Sequence, residues 1–331
     1  METTYVSRDD ATRVARKVMS TGGAAALADK VAGLRGGGQK RVIKHWGSGG
    51  RFAGQWFDVP AVLERWATMV SGDPKVNFRQ KVARTYLADG THRRALSLGC
   101  GFGHREREWA QLNVFDELTG IDIAPGAVEA ARTAAVDAGI SPDILRYEVG
   151  DFSAGSLGRT TYDVIIVEHS LHHFTDVPGT VERIRAALAP GGLLVMDEYV
   201  GPSRFQWTSR QIEAADGLLR ALPESYRAMR DGRLKRAVRR PSLLAMHIDD
   251  PSEAVESASI MPALRRTFAV TEEVGYGGAV LHPLLSNIAH NFVDDSPATA
   301  SLLEVLFGAE DALLATGDVE HDFVAAVCRV P

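Results

Sequence analysis

The sequence predicts an α/β protein whose mostly parallel sheet is wound with crossover helices. Three observations carry that expectation. From residue 94 onward, short apolar runs alternate with helical stretches, the rhythm of strand and crossover. The first run leads directly into Gly99-Cys100-Gly101-Phe102-Gly103, glycines that allow a tight strand-to-helix turn and a close backbone approach to a ligand. Two later apolar runs, Thr267 to Val274 and Phe323 to Val330, follow a helical interruption and suit an antiparallel edge of the same sheet.

Each element follows in order. Residues 10–33 and 60–88 carry apolar side chains at helical spacing, as at Val62, Leu63, Trp66 and Val70. Between them, residues 45–57 are rich in both glycine and aromatics, which suits either a loop whose rings dock on the core or a lid in which Trp46 touches substrate. Strands are predicted at Ala95 to Leu98, Leu118 to Ile121, Leu145 to Val149, Val164 to Val167 and Leu193 to Met196. Pro125 suits the first position of a helix, and Pro190-Gly191-Gly192 stops the helix carrying Val181, Ile184 and Leu188. After Tyr199 a mostly helical cap intervenes, containing a basic run from Arg230 to Arg240 that reads as a solvated helix face or an anion attractor. With 280–292 and 298–315 as a helical pair before the last strand, the expected fold is a Rossmann-like, mostly parallel seven-stranded sheet with helices on both faces. Its parts are N-terminal helices over 1–93, a core over 94–199, a helical cap over 200–266 inserted after strand five, and completing strands and helices over 267–331.

Composition narrows the function. The 331 residues carry a net charge of −5, which argues against a general nucleic-acid binder. Two cysteines, Cys100 and Cys328, cannot form a disulfide framework and have no partners at metal-ligand spacing. No stretch reaches the roughly 18 apolar residues of a membrane span, and the N-terminus lacks a signal-peptide pattern. The expected setting is cytoplasmic, with a small-molecule substrate, no membrane or nucleic-acid partner, and a homodimer left open.

The glycine loop departs from the dinucleotide fingerprint G-x-G-x-x-G, because its third glycine, Gly103, falls one position early and His104 occupies the sixth place. It resembles instead the loop of class I S-adenosylmethionine-dependent methyltransferases, and later segments repeat that family's pattern in order. Asp122 ends the second strand, Gly150-Asp151-Phe152 follows the third, Tyr162 to Phe174 looks like the fourth strand with its loop, and Leu188 to Leu194 looks like the approach to the fifth. The resemblance implies S-adenosylmethionine as cofactor, with Gly99, Cys100, Gly101 and Gly103 forming its cradle. Asp122, beside Ile123, would accept the ribose hydroxyls, Asp151 and Phe152 would meet the adenine, and Glu168 would lie near the amino-acid end. One departure is Ser97, where the family usually has an acidic residue.

Acceptor chemistry is expected beyond the carboxyl ends of strands four and five. Glu168, His169, His172 and His173 follow the fourth; Asp197, Glu198, Tyr199 and Arg204 follow the fifth. Glu168 is the first candidate for a base, with His169 and Tyr199 beside it as catalytic candidates. Trp46, Arg204, Phe205, Trp207, Arg239 and His290 are candidate substrate contacts, and no protein metal site is predicted. The segment Asp197 to Trp207 resembles a bacterial small-molecule branch of the family with a helical cap. One concrete reading is C-methylation of a prenyl diphosphate, with Glu168 as base, aromatic faces on a carbocation and Mg²⁺ held by the diphosphate. The alternatives are O-methylation of a phenol, sugar or carboxylate, and a cofactor-binding protein of the same fold without methyl transfer.

Overall fold

The computed structural model describes residues 3–5, 55–91, 93–152 and 161–331. The helix predicted over 10–33 and the segment 45–54 with Trp46 lie outside the described residues. Seven strands form one sheet: β1 (Arg94–Leu98), β2 (Glu117–Asp122), β3 (Leu145–Val149), β4 (Tyr162–Glu168), β5 (Leu188–Tyr199), β6 (Ala269–Gly275) and β7 (Phe323–Arg329). Their order is β3-β2-β1-β4-β5-β7-β6. The first five pair in parallel, and β7 runs antiparallel to both β5 and β6. All seven predicted strands are present, but of the two late ones only β7 reverses direction.

Strand order reverses between β1 and β4, so their loops diverge there and leave a crevice at the carboxyl ends. Ten α-helices surround the sheet among the described residues: α1 (Pro60–Ser71), α2 (Phe78–Tyr86), α3 (His104–Gln111), α4 (Pro125–Asp137), α5 (Val177–Ala187), α6 (Ser209–Ala221), α7 (Leu243–Asp249), α8 (Ile260–Thr267), α9 (Leu281–Leu285) and α10 (Pro297–Ala315). The helical spacing over 60–88 resolves into two helices because Gly72, at φ 83°, ends α1, and Asn77 with Gln80 forms a reciprocal cap that starts α2. Two cores flank the sheet, and period-two alternation assigns each strand residue to one of them. Val164, Ile166, Leu193 and Val195 join the core beneath α1 to α4; Ile165, Val167, Leu194 and Met196 join the one beneath α5 and α8.

Two sequence expectations are revised. Strand β5 begins at Leu188, immediately after α5, and Pro190-Gly191-Gly192 forms an irregularity before regular pairing resumes at Val164 and Leu193. The basic run is not a helix face. Gly232, at φ 81°, makes a turn after Asp231, and the cations then disperse to separate partners. Lys235 Nζ donates to the carbonyls of Pro283, Leu284 and Ser286 at the end of α9, Arg233 pairs with Asp231, and Arg240 donates to the Trp207 carbonyl.

Glycine is required where α3 begins. Gly103 sits at φ 71°, and a Cβ there would collide with the Tyr147 ring and the Ala131 side chain. Gly103→Ala is therefore expected to destabilise the protein by about 1–3 kcal/mol. Equilibrium denaturation checks this, and an unchanged midpoint would show that the loop relaxes without cost.

Candidate active site

The loop after β1 is pinned from beneath. Gly99 N and Cys100 N both donate to the Ile121 carbonyl, at 2.8 and 3.1 Å. Asp122 accepts from Gly101 N (2.9 Å) with one carboxylate oxygen and from Ala124 N (2.8 Å) with the other. Each oxygen keeps a lone pair, which is what a vicinal diol needs. Gly150 N donates to the Asp122 carbonyl at 3.0 Å, which holds the turn leading to Asp151 and Phe152 against the end of β2. Among the described residues, no atom beyond the adjoining chain lies within 4 Å of where a Gly101 Cβ would stand, so the loop opens at that point. These residues fit a ribose and an adenine. Burial raises the Cys100 thiol far above the usual range, so it stays protonated.

Ser97 explains part of its own departure. Its hydroxyl donates to Glu106 Oε1 at 2.6 Å, and the other Glu106 oxygen is buried with no partner among the described residues. A carboxyl group thus reaches the floor of the loop from α3, and burial pushes its pKa up to about 6.

Glu168 ends β4 almost fully buried. Arg79 Nε and Nη2 donate to its Oε2 at 2.9 and 2.7 Å, Trp109 Nε1 donates to Oε1 at 3.1 Å, and Arg105 Nε stands 3.5 Å away. Both oxygens are engaged, so the carboxylate ties α2 and α3 to the strand end. Arg79, Trp109 and Glu106 were not found by sequence reasoning, since each lies on a helix whose pattern reads as ordinary.

His169 follows in the left-handed region, at φ 52°. Its Nε2 stands 3.6 Å from Asp197 Oδ2, while Asp197 Oδ1 accepts from the Tyr276 hydroxyl. Burial raises the Asp197 carboxyl, but the neighbouring His169 and the hydrogen bond from the Tyr276 hydroxyl outweigh it and hold the pKa below the usual carboxylate value. Aromatic rings surround this group: Trp66 stacks on His169 at 6.5 Å, and Phe323 lies 6.1 Å from it. Tyr199 is buried and donates to the Pro202 carbonyl at 2.9 Å, and burial raises its phenol well above 10.0. It packs as a wall of the same cluster.

The other candidates divide. Phe205 stacks on Trp207 at 5.3 Å, and both meet the His282 ring edge-on. Trp207 is buried, and its Nε1 donates to Asp322 Oδ2 at 3.0 Å, which anchors the cap to β7. Arg204 donates from Nη1 to the Glu253 carbonyl at 3.2 Å and from its backbone to Ala254, so it braces the cap loop. Arg239 is exposed. His290 lies in the 3₁₀ turn Ala289–Phe292, whose Asn291 donates to the Tyr226 and Ala228 carbonyls. Glu198, with no exposed surface, accepts from Ser170 N, from Leu171 N at 2.6 Å, and from His172 Nδ1 at 2.6 Å.

Comparison with known proteins adds a domain assignment. Residues 96–194 match the methyltransferase domain family. Among curated relatives, the ubiquinone biosynthesis O-methyltransferase of Methylocella silvestris is 36% identical over 101 residues, covering 30% of this chain and 38% of that protein. That of Bordetella pertussis is 32% identical over 133 residues, covering 40% and 52%. The chain thus spans about half or less of the curated relatives it matches. Similar solved structures include the [4+2]-cyclase SpnF, with TM-score 0.45, 16% identity and coverage of 76% of this chain and 80% of that one. A methyltransferase from Mesorhizobium loti has TM-score 0.44 and 19% identity, with coverage of 76% and 97%. The chain carries a class I S-adenosylmethionine-dependent methyltransferase domain. The cofactor of that class is S-adenosylmethionine. No helix among the described residues is long and apolar enough to cross a membrane.

Two measurements probe the buried acids. Glu106 ionises near 4.5 when unfolded and about 6 when folded, so folding takes up a proton between those values and stability falls as pH rises through them. Without cofactor, Glu106→Gln is expected to be more stable than wild type above pH 6 by roughly 2 kcal/mol, with the gap closing below pH 4. Melting curves at several pH values decide this, and parallel curves would refute it. Arg79→Ala strips Glu168 of its main partner and is expected to cost about 3–5 kcal/mol, much of it recovered when Glu168→Gln is added. Additive losses in the double-mutant cycle would show the pair to be uncoupled.

Proposed function

We propose that this protein is an S-adenosylmethionine-dependent methyltransferase acting on a hydroxyl of a small, largely apolar acceptor, with His169 as general base. The observation that carries the reading is the His169–Asp197–Tyr276 chain at the carboxyl ends of β4 and β5, against an aromatic wall. S-adenosylmethionine, when bound, supplies an electrophilic methyl group on a sulfonium. Asp122 and the glycine loop bind and orient the cofactor's ribose end. Asp197 faces His169 Nε2, which leaves Nδ1 to take the acceptor proton, and the Asp197 charge offsets the imidazolium that results. A left-handed φ at a non-glycine residue is the kind of backbone strain that accompanies such positioning.

The names of the curated relatives support O-methylation over the alternatives. C-methylation of a prenyl diphosphate would ask Glu168 to act as base, and its oxygens already serve Arg79 and Trp109. The basic run is spread over separate partners, which removes the concentrated cationic patch that reading would draw on.

The test is His169→Asn, assayed by methyl transfer to a panel of phenols of graded acidity. Turnover is expected to fall by about 10²–10⁴-fold on weakly acidic phenols. The loss should shrink on nitrophenols already ionised at the assay pH, with cofactor affinity unchanged. Equal losses on every acceptor would remove His169 as a base. Cofactor binding without transfer to any acceptor would favour the non-catalytic reading, and turnover of prenyl diphosphates alone would replace O-methylation.

A further inference from the structure

We propose that His172, His173 and Glu253 bind one divalent transition-metal ion that joins the loop after β4 to the cap. One ligand atom from each residue lies within 4.8 Å of the others, and His172 Nε2 already stands 3.5 Å from Glu253 Oε1. Ligands of a tetrahedral ion at ordinary bond lengths sit roughly 3.3 Å apart, so the cluster needs to contract by up to about 1.5 Å at its widest. Glu253, about a quarter exposed, can supply that movement and an entry path.

The surroundings are those of metal-ligating histidines. His172 Nδ1 is hydrogen-bonded to the buried Glu198 carboxylate, which makes Nδ1 the protonated nitrogen and leaves the Nε2 lone pair toward Glu253. Ser252 Oγ spends its proton on Asp250 Oδ1 at 2.6 Å, so His173 Nδ1, 3.2 Å away, is the donor to it. His173 likewise keeps Nε2 as its acceptor. Outer partners that fix tautomer and ring orientation in this way are the usual companions of bound ions. Charge points the same way, since carboxylate oxygens of Glu198 and Glu253 stand 2.6 and 3.5 Å from the two ring nitrogens of His172. Two imidazoles and one carboxylate suit zinc, cobalt, iron or manganese better than magnesium or calcium, and three protein ligands leave a coordination position free.

The same cluster with a proton in place of the ion, an imidazolium between Glu198 and Glu253, is the alternative the experiment separates. Tag-free protein is stripped with chelator, titrated with Zn²⁺ and Co²⁺, desalted and assayed for metal. One ion per chain is expected for wild type, lost in Glu253→Gln and His173→Ala while circular dichroism is unchanged. Ser252→Ala retains every ligand and is expected to weaken binding about 10–100-fold. The cobalt-loaded wild type gives a readout that needs no variant: two exchangeable imidazole N–H resonances shifted far downfield, one for each Nδ1 proton. No retained metal, retention untouched by all three substitutions, or the absence of both shifted resonances would each overturn the proposal.

Discussion

The Glu198 carboxylate is the constraint from which the site is built. A carboxylate with no exposed surface is tolerable only if its lone pairs are filled, and the groups that fill them all come from the loop after β4. Ser170 N, Leu171 N and the His172 ring are therefore fixed relative to β5. Ser170 in turn donates from Oγ to the Leu98 carbonyl at 2.6 Å, which carries the constraint on to β1 and the glycine loop. One buried charge thus sets the spacing of the two loops that border the crevice.

Neighbouring strand ends use their acids differently. Glu168 on β4 is clasped by arginine and tryptophan from helices that precede the cofactor loop or follow from it. Asp197 lies beside it in register, yet turns to a histidine and a tyrosine and stays close to the aromatic wall. Pairing with a permanent cation makes the first an anchor for helices. Pairing with a group that can gain and lose a proton suits the second to chemistry.

The sheet was legible because burial on both faces writes continuous apolar runs, and the glycine loop because left-handed backbone restricts residue choice. Asp122 could be placed from its position at a strand end. What stayed hidden were pairings distant in sequence: Arg79 meets Glu168 across 89 positions, and Ser252 meets His173 across 79. No local pattern announces such contacts. Ser97 read as a missing acid because the carboxyl that sits against it belongs to the next helix. The basic run misled for a simpler reason, since net charge says nothing of where each long side chain finds its carbonyl or carboxylate.

Strand β7 is the last strand in sequence, yet it lies between β5 and β6 rather than at an edge. During synthesis, the backbone edge of β5 must stay open while the cap, β6 and α10 are made, and β6 has no sheet to join until β7 arrives. Loop closure over that length is slow compared with local helix formation. The β5 edge, with its run of Leu193, Leu194, Val195 and Met196, is accordingly the surface on a nascent chain that most needs shielding from other chains.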